Sequence, residues 1–360
     1  MKKIISVILC VVLPLFLAVP VNAIDLEPRV CTIQNSKYGF DIYQYIGDQN
    51  EIISTYYANE NTTTILEKIN KKKAEETDSL YLETKAILLE LGVDEESISL
   101  MNEKDLLRYT NAKSITTSTV YIKTDIDGNS IYIPEEEALD YIKKKDLENT
   151  TVGDAIILSA NPAEGEAGTD TSEDEYMKMT LIVTYMGGEK YHFAIESVWL
   201  NMPTWRSTDS LGVCIQGHTV IEESCSGYIY YIHQVKENIF TSSAERVTEG
   251  LLPSAFQQTT TGTWSGIAAV FNLKNNTIKH SYSSYKTHIE FETCVTYPDQ
   301  TLNFNVIGTY HHSEFTVDID GISIGIDTSL NVSASIGITG HNNYTRRYVS
   351  TASPYRYEPN

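Results

Sequence analysis

"YMKMTLIVTYMGGEKYHFAIESVWL", residues 176–200, decides the fold. Two runs rich in β-branched and aromatic residues flank a Gly-Gly pair, and neither run alternates cleanly between apolar and polar. Leu181, Ile182 and Val183 are consecutive, as are Phe193, Ala194 and Ile195. Strands apolar on both faces belong at the centre of a sheet that is covered on both sides. A turn at Gly187-Gly188 makes the two runs a hairpin and sets Ile182 opposite Phe193 and Leu181 opposite Ala194.

Downstream the chain continues as strands, read at 228–236, 265–272, 286–297 and 301–311. A last hairpin is read around Asp320-Gly321, where the alternation changes phase and Ile319 and Ile322 face each other across a two-residue turn. Short strands joined by tight turns, with no long helices between them, indicate an antiparallel sandwich. Its bounds are set at 151–345, followed by a tail over 346–360. The stretch "NPAEGEAGTDTSEDE", 161–175, has no large apolar residue and reads as an exposed acidic loop.

Upstream the period is helical. Ile65, Leu66, Ile69, Leu80, Ala86, Ile87 and Leu91 recur mostly at helical spacing. Gly92 ends that run, with Val93 placed to fold back on the last turn. Asp94 caps a short helix, and Asn102 opens another through Leu106, Leu107 and Tyr109. Residues 24–117 are therefore expected to be mostly helical. Residues 118–150 are expected to be a connector: a hairpin turning at Asp127-Gly128, with Ile122 opposite Ile133 and Thr124 opposite Ile131, then a helix started by Pro134. Three glutamates in its first turn and Lys143, Lys144 and Lys145 in its last suit the helix dipole. The fold class is α+β, an N-terminal helical region followed by a mainly antiparallel β-sandwich.

The first 23 residues carry Lys2 and Lys3, an apolar stretch from Ile4 to Val19 and a small-residue exit at Val21-Asn22-Ala23. This is the pattern of a secretory signal peptide cleaved after Ala23, giving a secreted, extracellular chain. No later stretch has the ~20 apolar residues of a membrane helix. Formal charge is −21, and residues 24–175 hold 32 acidic and 14 basic side chains against 16 and 11 over 176–360. Such a field repels phosphate backbones, so nucleic acid is excluded as a partner. Four cysteines remain after the leader, and an even count in a secreted chain suggests bridges. Cys214 to Cys225 would close a loop of about ten residues, worth ~2–3 kcal/mol, with Cys31 to Cys294 as the second bond.

Few chemistries survive inspection. Cys214 and His218 suggest a nucleophile and base, but four residues of strand separate them by ~13 Å, and only a turn at Gln216-Gly217 would bring them together. "GISIG" around Ser323 matches a nucleophile elbow in letters only, since alternation continues where a helix is required. Asp125, Asp127, Asn129 and Glu136 have EF-hand spacing, but Ser130 replaces the needed glycine and Pro134 interrupts the loop. His311 and His312 are neighbours on a strand and point to opposite faces. No metal or cofactor is assigned. "WLNMPTWRSTD" leaves Trp205, Arg206 and Asp209 as ligand-binding candidates, since Trp and Arg carry much binding energy at interfaces. The bland alternative packs the Trp under the loop and pairs Arg206 with Asp209. Tyrosines in "SGYIYYIH" and "HSYSSYKTH" add a recognition-surface signal.

"ETKAILLELGVDEESISLMNEKDLLRYTNAKSI", "EEALDYI" and "VWLNMPTWRSTDSLGVC" resemble segments of uncharacterised secreted proteins of low-GC Gram-positive bacteria. The resemblance implies an extracellular bacterial setting and carries over no site residue. The sequence reading is a secreted binding or interaction module for an extracellular ligand, whether glycan, cell wall or protein. Its alternatives are a Cys214-dependent hydrolase and a β-hairpin membrane-active protein, the latter suggested by "SLNVSASIGITG".

Overall fold

The doubly apolar pair occupies the middle of an eleven-stranded antiparallel sheet. The structure, a computed structural model, describes residues 32–35, 41–47, 50–58, 77–101, 103–125, 129–151, 174–203, 206, 208–236, 242–262, 264–296, 304–313, 318–326, 332–339 and 344–352. The expected leader, Cys31, Trp205 and the acidic loop over 161–173 lie outside them. In chain order the elements are β1 (Thr32–Asn35), β2 (Asp41–Ile46), β3 (Ile52–Tyr57), α1 (Thr77–Glu90), α2 (Glu95–Leu100), α3 (Glu103–Thr110), β4 (Ser114–Thr124), β5 (Ser130–Ile133) and α4 (Glu135–Thr151). There follow β6 (Glu175–Gly187), β7 (Lys190–Trp199), β8 (Thr208–Gln216), β9 (His218–Val220), β10 (Ser226–Lys236), β11 (Ser242–Gly250), β12 (Phe256–Thr261), β13 (Trp264–Asn272) and β14 (His280–Val295). The chain ends with β15 (Asn305–Ser313), β16 (Asp318–Ile326), β17 (Val332–Thr339) and β18 (Tyr344–Ala352).

The long sheet runs β1-β2-β3-β4-β6-β7-β14-β10-β11, with β5 and β9 on β4 and β14; a second sheet runs β12-β13-β8-β15-β18. Leu181, Val183, Phe193 and Ile195 face this second sheet and meet Leu211, Val213, Ile215, Ile267, Phe271 and Val306 in the main core. Ile182 and Ala194, on the other face, pack with Ile87 and Leu88 of α1, Leu91 just after it, and Ile98, Leu106 and Tyr109 of α2 and α3. α4 covers the same face further along β4, where Tyr141 stacks on Tyr176 with centroids 3.9 Å apart. The fold is therefore helices, sheet and sheet in three layers. β16 and β17 form a separate two-stranded sheet that lies against β8, β12, β13 and β15.

Local helix signals hold. Gly92 has φ +86°, and Val93 N–H bonds Leu88 O while its side chain is buried. Asp94 caps α2 by accepting from Ser97 N at 2.9 Å. Several expectations give way. Residues 24–117 are not mostly helical among the described residues, because β1, β2 and β3 extend the long sheet and α1–α3 are an excursion over its face. α4 continues to Thr151, so the three lysines fall inside it and its last turn carries no basic residue. The tail over 346–360 begins as β18, paired to β15.

The register errors share one cause. At the β6–β7 turn Leu181 pairs Ile195 and Ile182 pairs Ala194, with an irregularity between Tyr185 and Gly187. The β4–β5 connection places Tyr121 opposite Ile133 and Thr124 opposite Ser130. There Asp125 accepts from Asn129 N at 2.8 Å, closing a loop one residue longer than the two-residue turn. At Asp320 there is no turn: β16 runs straight through, and the change of phase is a bulge between Ile319 and Gly321. A bulge adds one unpaired residue and so shifts every later side chain by one place.

Gly227 tests the central pairing. A Cβ there would lie 2.6 Å from His288 O and 3.0 Å from Ile289 Cγ2. Gly227→Ala is expected to cost ~1–3 kcal/mol, read as a lower denaturant midpoint. Gly250→Ala, where a Cβ meets nothing within 4 Å, should stay within ~0.5 kcal/mol. Equal effects would sink the argument.

Candidate functional site

The residues singled out in the sequence are mostly interior. Asp209 is buried; Tyr310 Oη donates to it, and His312 Nδ1 donates to it at 2.9 Å. Trp199 Nε1 donates to Tyr310 Oη at 3.0 Å, completing a chain of hydrogen bonds between the sheets. Arg206 is also buried and spends its donors elsewhere than on Asp209: on Pro203 O, Lys274 O, Asn276 Oδ1 and Tyr282 O at 2.9–3.3 Å. It clamps the loop before β8 to the connection between β13 and β14. Neither Arg206 nor Asp209 faces solvent.

The cysteine expectations also change. Cys214, Cys225 and Cys294 are free thiols, so the Cys214–Cys225 bridge is not formed. Gly217, at φ +73°, does turn the chain, but it carries it from one sheet to the other. Cys214 ends on the outer face of the second sheet beside Trp264 and Ile307. His218 enters the main core against Tyr191, Phe193 and Phe304. Burial pushes the Cys214 thiol up to about 12 and the His218 imidazole down to about 4. A protonated thiol and a neutral imidazole on different faces make no nucleophile and base. Among the described residues no group of three or more His, Cys, Asp or Glu could hold a metal, and no helix is long and apolar enough to cross a membrane.

Sequence reasoning missed a buried ionic cluster where α2 and α3 meet β7, β10 and β14. Lys286 Nζ donates to Asp94 Oδ1 at 2.6 Å and to Ser97 Oγ at 2.8 Å. Ser97 Oγ also lies 2.7 Å from Asp94 Oδ2 and 2.5 Å from Glu196 Oε2. The hydroxyl has one proton and cannot donate to both carboxylates, so one carboxyl must carry a proton of its own. That carboxyl is Glu196, which burial raises to about 7 against the pull of Lys286. Nearby, Glu290 takes His192 Nε2 at 3.1 Å, Arg108 Nη1 at 3.2 Å and Ser226 Oγ at 2.8 Å. Burial alone would raise Glu290, but the hydrogen bonds from His192 and His288 hold it well below the carboxylate range. Ser97, Lys286 and Glu196 are almost fully enclosed, so this cluster fastens helices to sheet and offers no substrate an approach.

The open site lies at a corner. β11 ends at Gly250, the chain crosses between sheets through Leu251 to Ala255, and β12 starts at Phe256. β12 pairs with β13 only as far as Ala269, while β13 continues to Asn272 along β8. The gap is a cleft of about 470 Å³ lined by Ile229, Leu251, Val270 and Phe271, with Glu249, Gln257 and Thr208 at hand. Leu252 beside it is 70% exposed. An aromatic ladder leads inward from the surface next to it. His233 stacks on Tyr282 at 4.8 Å and on His280 at 5.2 Å; Tyr231 meets Tyr282 and Tyr285 at 5.6 and 5.2 Å. Lys274 sits 4.6 Å over Tyr231 and bonds both Tyr231 Oη and Glu249. A bulge at Ser284, φ +56°, puts Tyr282 and Tyr285 on one face. The tyrosine-rich stretches signalled this surface in sequence, but nothing there signalled the cleft.

No protein-family model and no curated protein matches the chain. Among solved structures it is similar to the collagen binding subdomain of Enterococcus faecalis surface protein ACE, at 7% identity and TM-score 0.20, covering 44% of this chain and 88% of that one. It is similar to a structure described under pH-induced modulation of Streptococcus parasanguinis adhesion by Fap1 fimbriae, at 12% and 0.20, covering 49% and 80%. The collagen binding domain of Erysipelothrix rhusiopathiae surface protein RspB aligns at 8% and 0.22, covering 67% and 66%. Likeness at these scores carries no argument about fold or function.

Two measurements check the interior. Asp94 and Glu290 are held low, so their stabilisation is complete above the unfolded carboxylate value near ~4 and is lost as pH falls through their folded values. His218, held down to about 4, adds a further loss as pH falls from ~6.5. Glu196, raised to about 7, acts in the opposite sense, its contribution lost as pH rises from ~4.3 to 7. His288, raised by Glu290 despite burial, follows it above ~6.5. The thermal midpoint should peak near pH ~4–6 and be lower at pH 8, and Glu196→Gln should flatten the decline above the peak; an unchanged profile in that variant would remove Glu196 from the account. In alkylation of the native protein, exposed Cys294 should react and Cys214 only on unfolding; early modification of Cys214 would contradict its burial.

Proposed function

We propose that this protein is an extracellular binding module that takes its ligand at the corner cleft between β11, β12 and β13. The observation that carries the reading is the cleft: it is lined by Val270 and exposed Leu252, backed by the largely buried Ile229 and Phe271, with Glu249, Gln257 and Thr208 also lining it. Ligand sites are concave and mostly apolar, with few polar groups that fix orientation. The leader-like N-terminus and the acidic composition support an extracellular setting. The hydrolase alternative loses its support with the separation of Cys214 from His218.

Retention of the purified protein on immobilised matrix proteins, cell-wall polysaccharide and glycans tests this. Saturable retention on at least one of them is expected, weakened tenfold or more by Leu252→Glu with the circular dichroism unchanged. Retention on none, or retention that Leu252→Glu and Ser254→Trp leave intact, would overturn it.

A further inference from the structure

The geometry points to an extended, basic polypeptide segment as the ligand, added to the long sheet as a further antiparallel strand along β11. This rests on the reading of the corner cleft as the ligand site and names the class of partner that site takes.

β11 ends the sheet among the described residues. Its nine residues, "SSAERVTEG", pair with β10 from Tyr228↔Gly250 to Lys236↔Ser242 without a break in register. Every second N–H and C=O of such a strand points away from its partner, at a repeat of ~6.8 Å that another polypeptide strand matches. Edge strands of this length are ordinarily blunted by charged side chains, proline, a bulge or a covering segment. β11 carries the charges of Glu245, Arg246 and Glu249, which discourage pairing with a like strand, but it has no proline, its register shows no bulge, and Ser243, Ala244, Glu245, Arg246, Thr248, Glu249 and Gly250 are exposed.

The edge leads into the cleft. Glu249 and Gly250 line it, so a strand laid along β11 would bring a side chain to the mouth of the cleft beside exposed Leu252. Among the described residues β13 from Val270 to Asn272 pairs only with β8. Main-chain bonding with one anchored side chain is how strand addition combines affinity with selectivity. The sign of the partner comes from charge. On the face of β11 that borders the cleft Glu249 is already held by Lys274, so the acidic group a partner strand meets is Glu245, its side chain 67% exposed beside His233, in a chain of net charge −21. Opposite charges directly across a strand pair attract and like charges repel.

The test uses the full chain and three labelled probes: an alternating lysine-valine heptapeptide, its glutamate-valine counterpart, and the lysine peptide with alternate amides N-methylated. Fluorescence anisotropy should show the lysine peptide binding at least tenfold tighter than both others, with hydrogen exchange slowed at 243–250. Equal binding of the N-methylated peptide, or absence of protection at 243–250, would overturn strand addition; equal binding of the glutamate peptide would overturn the basic partner. If no peptide protects β11 while matrix retention still depends on Leu252, strand addition fails and the cleft reading stands. If β11 is protected but retention ignores Leu252→Glu, the cleft reading fails and the edge stands.

Discussion

Burial of both faces of β6 and β7 is the constraint from which the rest of the structure follows. Met177, Met179, Leu181, Ile182, Val183, Phe193, Ala194 and Ile195 are all 0–2% exposed. At ~25 cal/mol per Å² of apolar surface, neither face can be left to water. One face is covered by a second sheet and the other by an excursion of three helices. The chain thereby becomes three layers where the sequence pattern suggested two consecutive regions.

Covering the helical face brings polar groups indoors. β14 and β7 are long enough to run under α2 and α3, and their residues there include Lys286, His288, Glu290, His192 and Glu196. An isolated charge in that position costs several kcal/mol, so each is paired or neutralised. The single proton of Ser97 Oγ, set between two carboxyls, shows how tightly the arrangement is determined. The same groups make helix docking responsive to pH without giving it any catalytic access.

The cleft has a different origin. Two sheets joined by a short connection at Leu251 to Ala255 must part where strands end unequally, and β12 stops three residues before β13 does. The gap is thus a product of strand lengths and not of any one residue type. No catalytic or metal spacing in the sequence therefore marks it. The Trp and Arg stretch that does stand out in the sequence holds Arg206 and Asp209, whose chemistry is used inside the molecule.

Local signals were legible where the physics is local. The helix cap at Asp94, the left-handed Gly92 and the two-sided strands at 176–200 depend on neighbours a few residues away, and the sequence by itself determined them. It also determined the strand-rich second half and the opposed directions of His311 and His312. Tertiary structure decided what depends on distant partners. Registers shifted by one residue at each irregular turn or bulge, because an unpaired residue leaves no mark in hydrophobic alternation. Cys214 and His218 went to different sheets, because one turn at Gly217 set their direction and the packing of two sheets set their surroundings. The ion cluster and the cleft belong wholly to that level. They are made by residues such as Ser97 and Lys286, 189 positions apart in the chain, and burial is what gives them their chemistry.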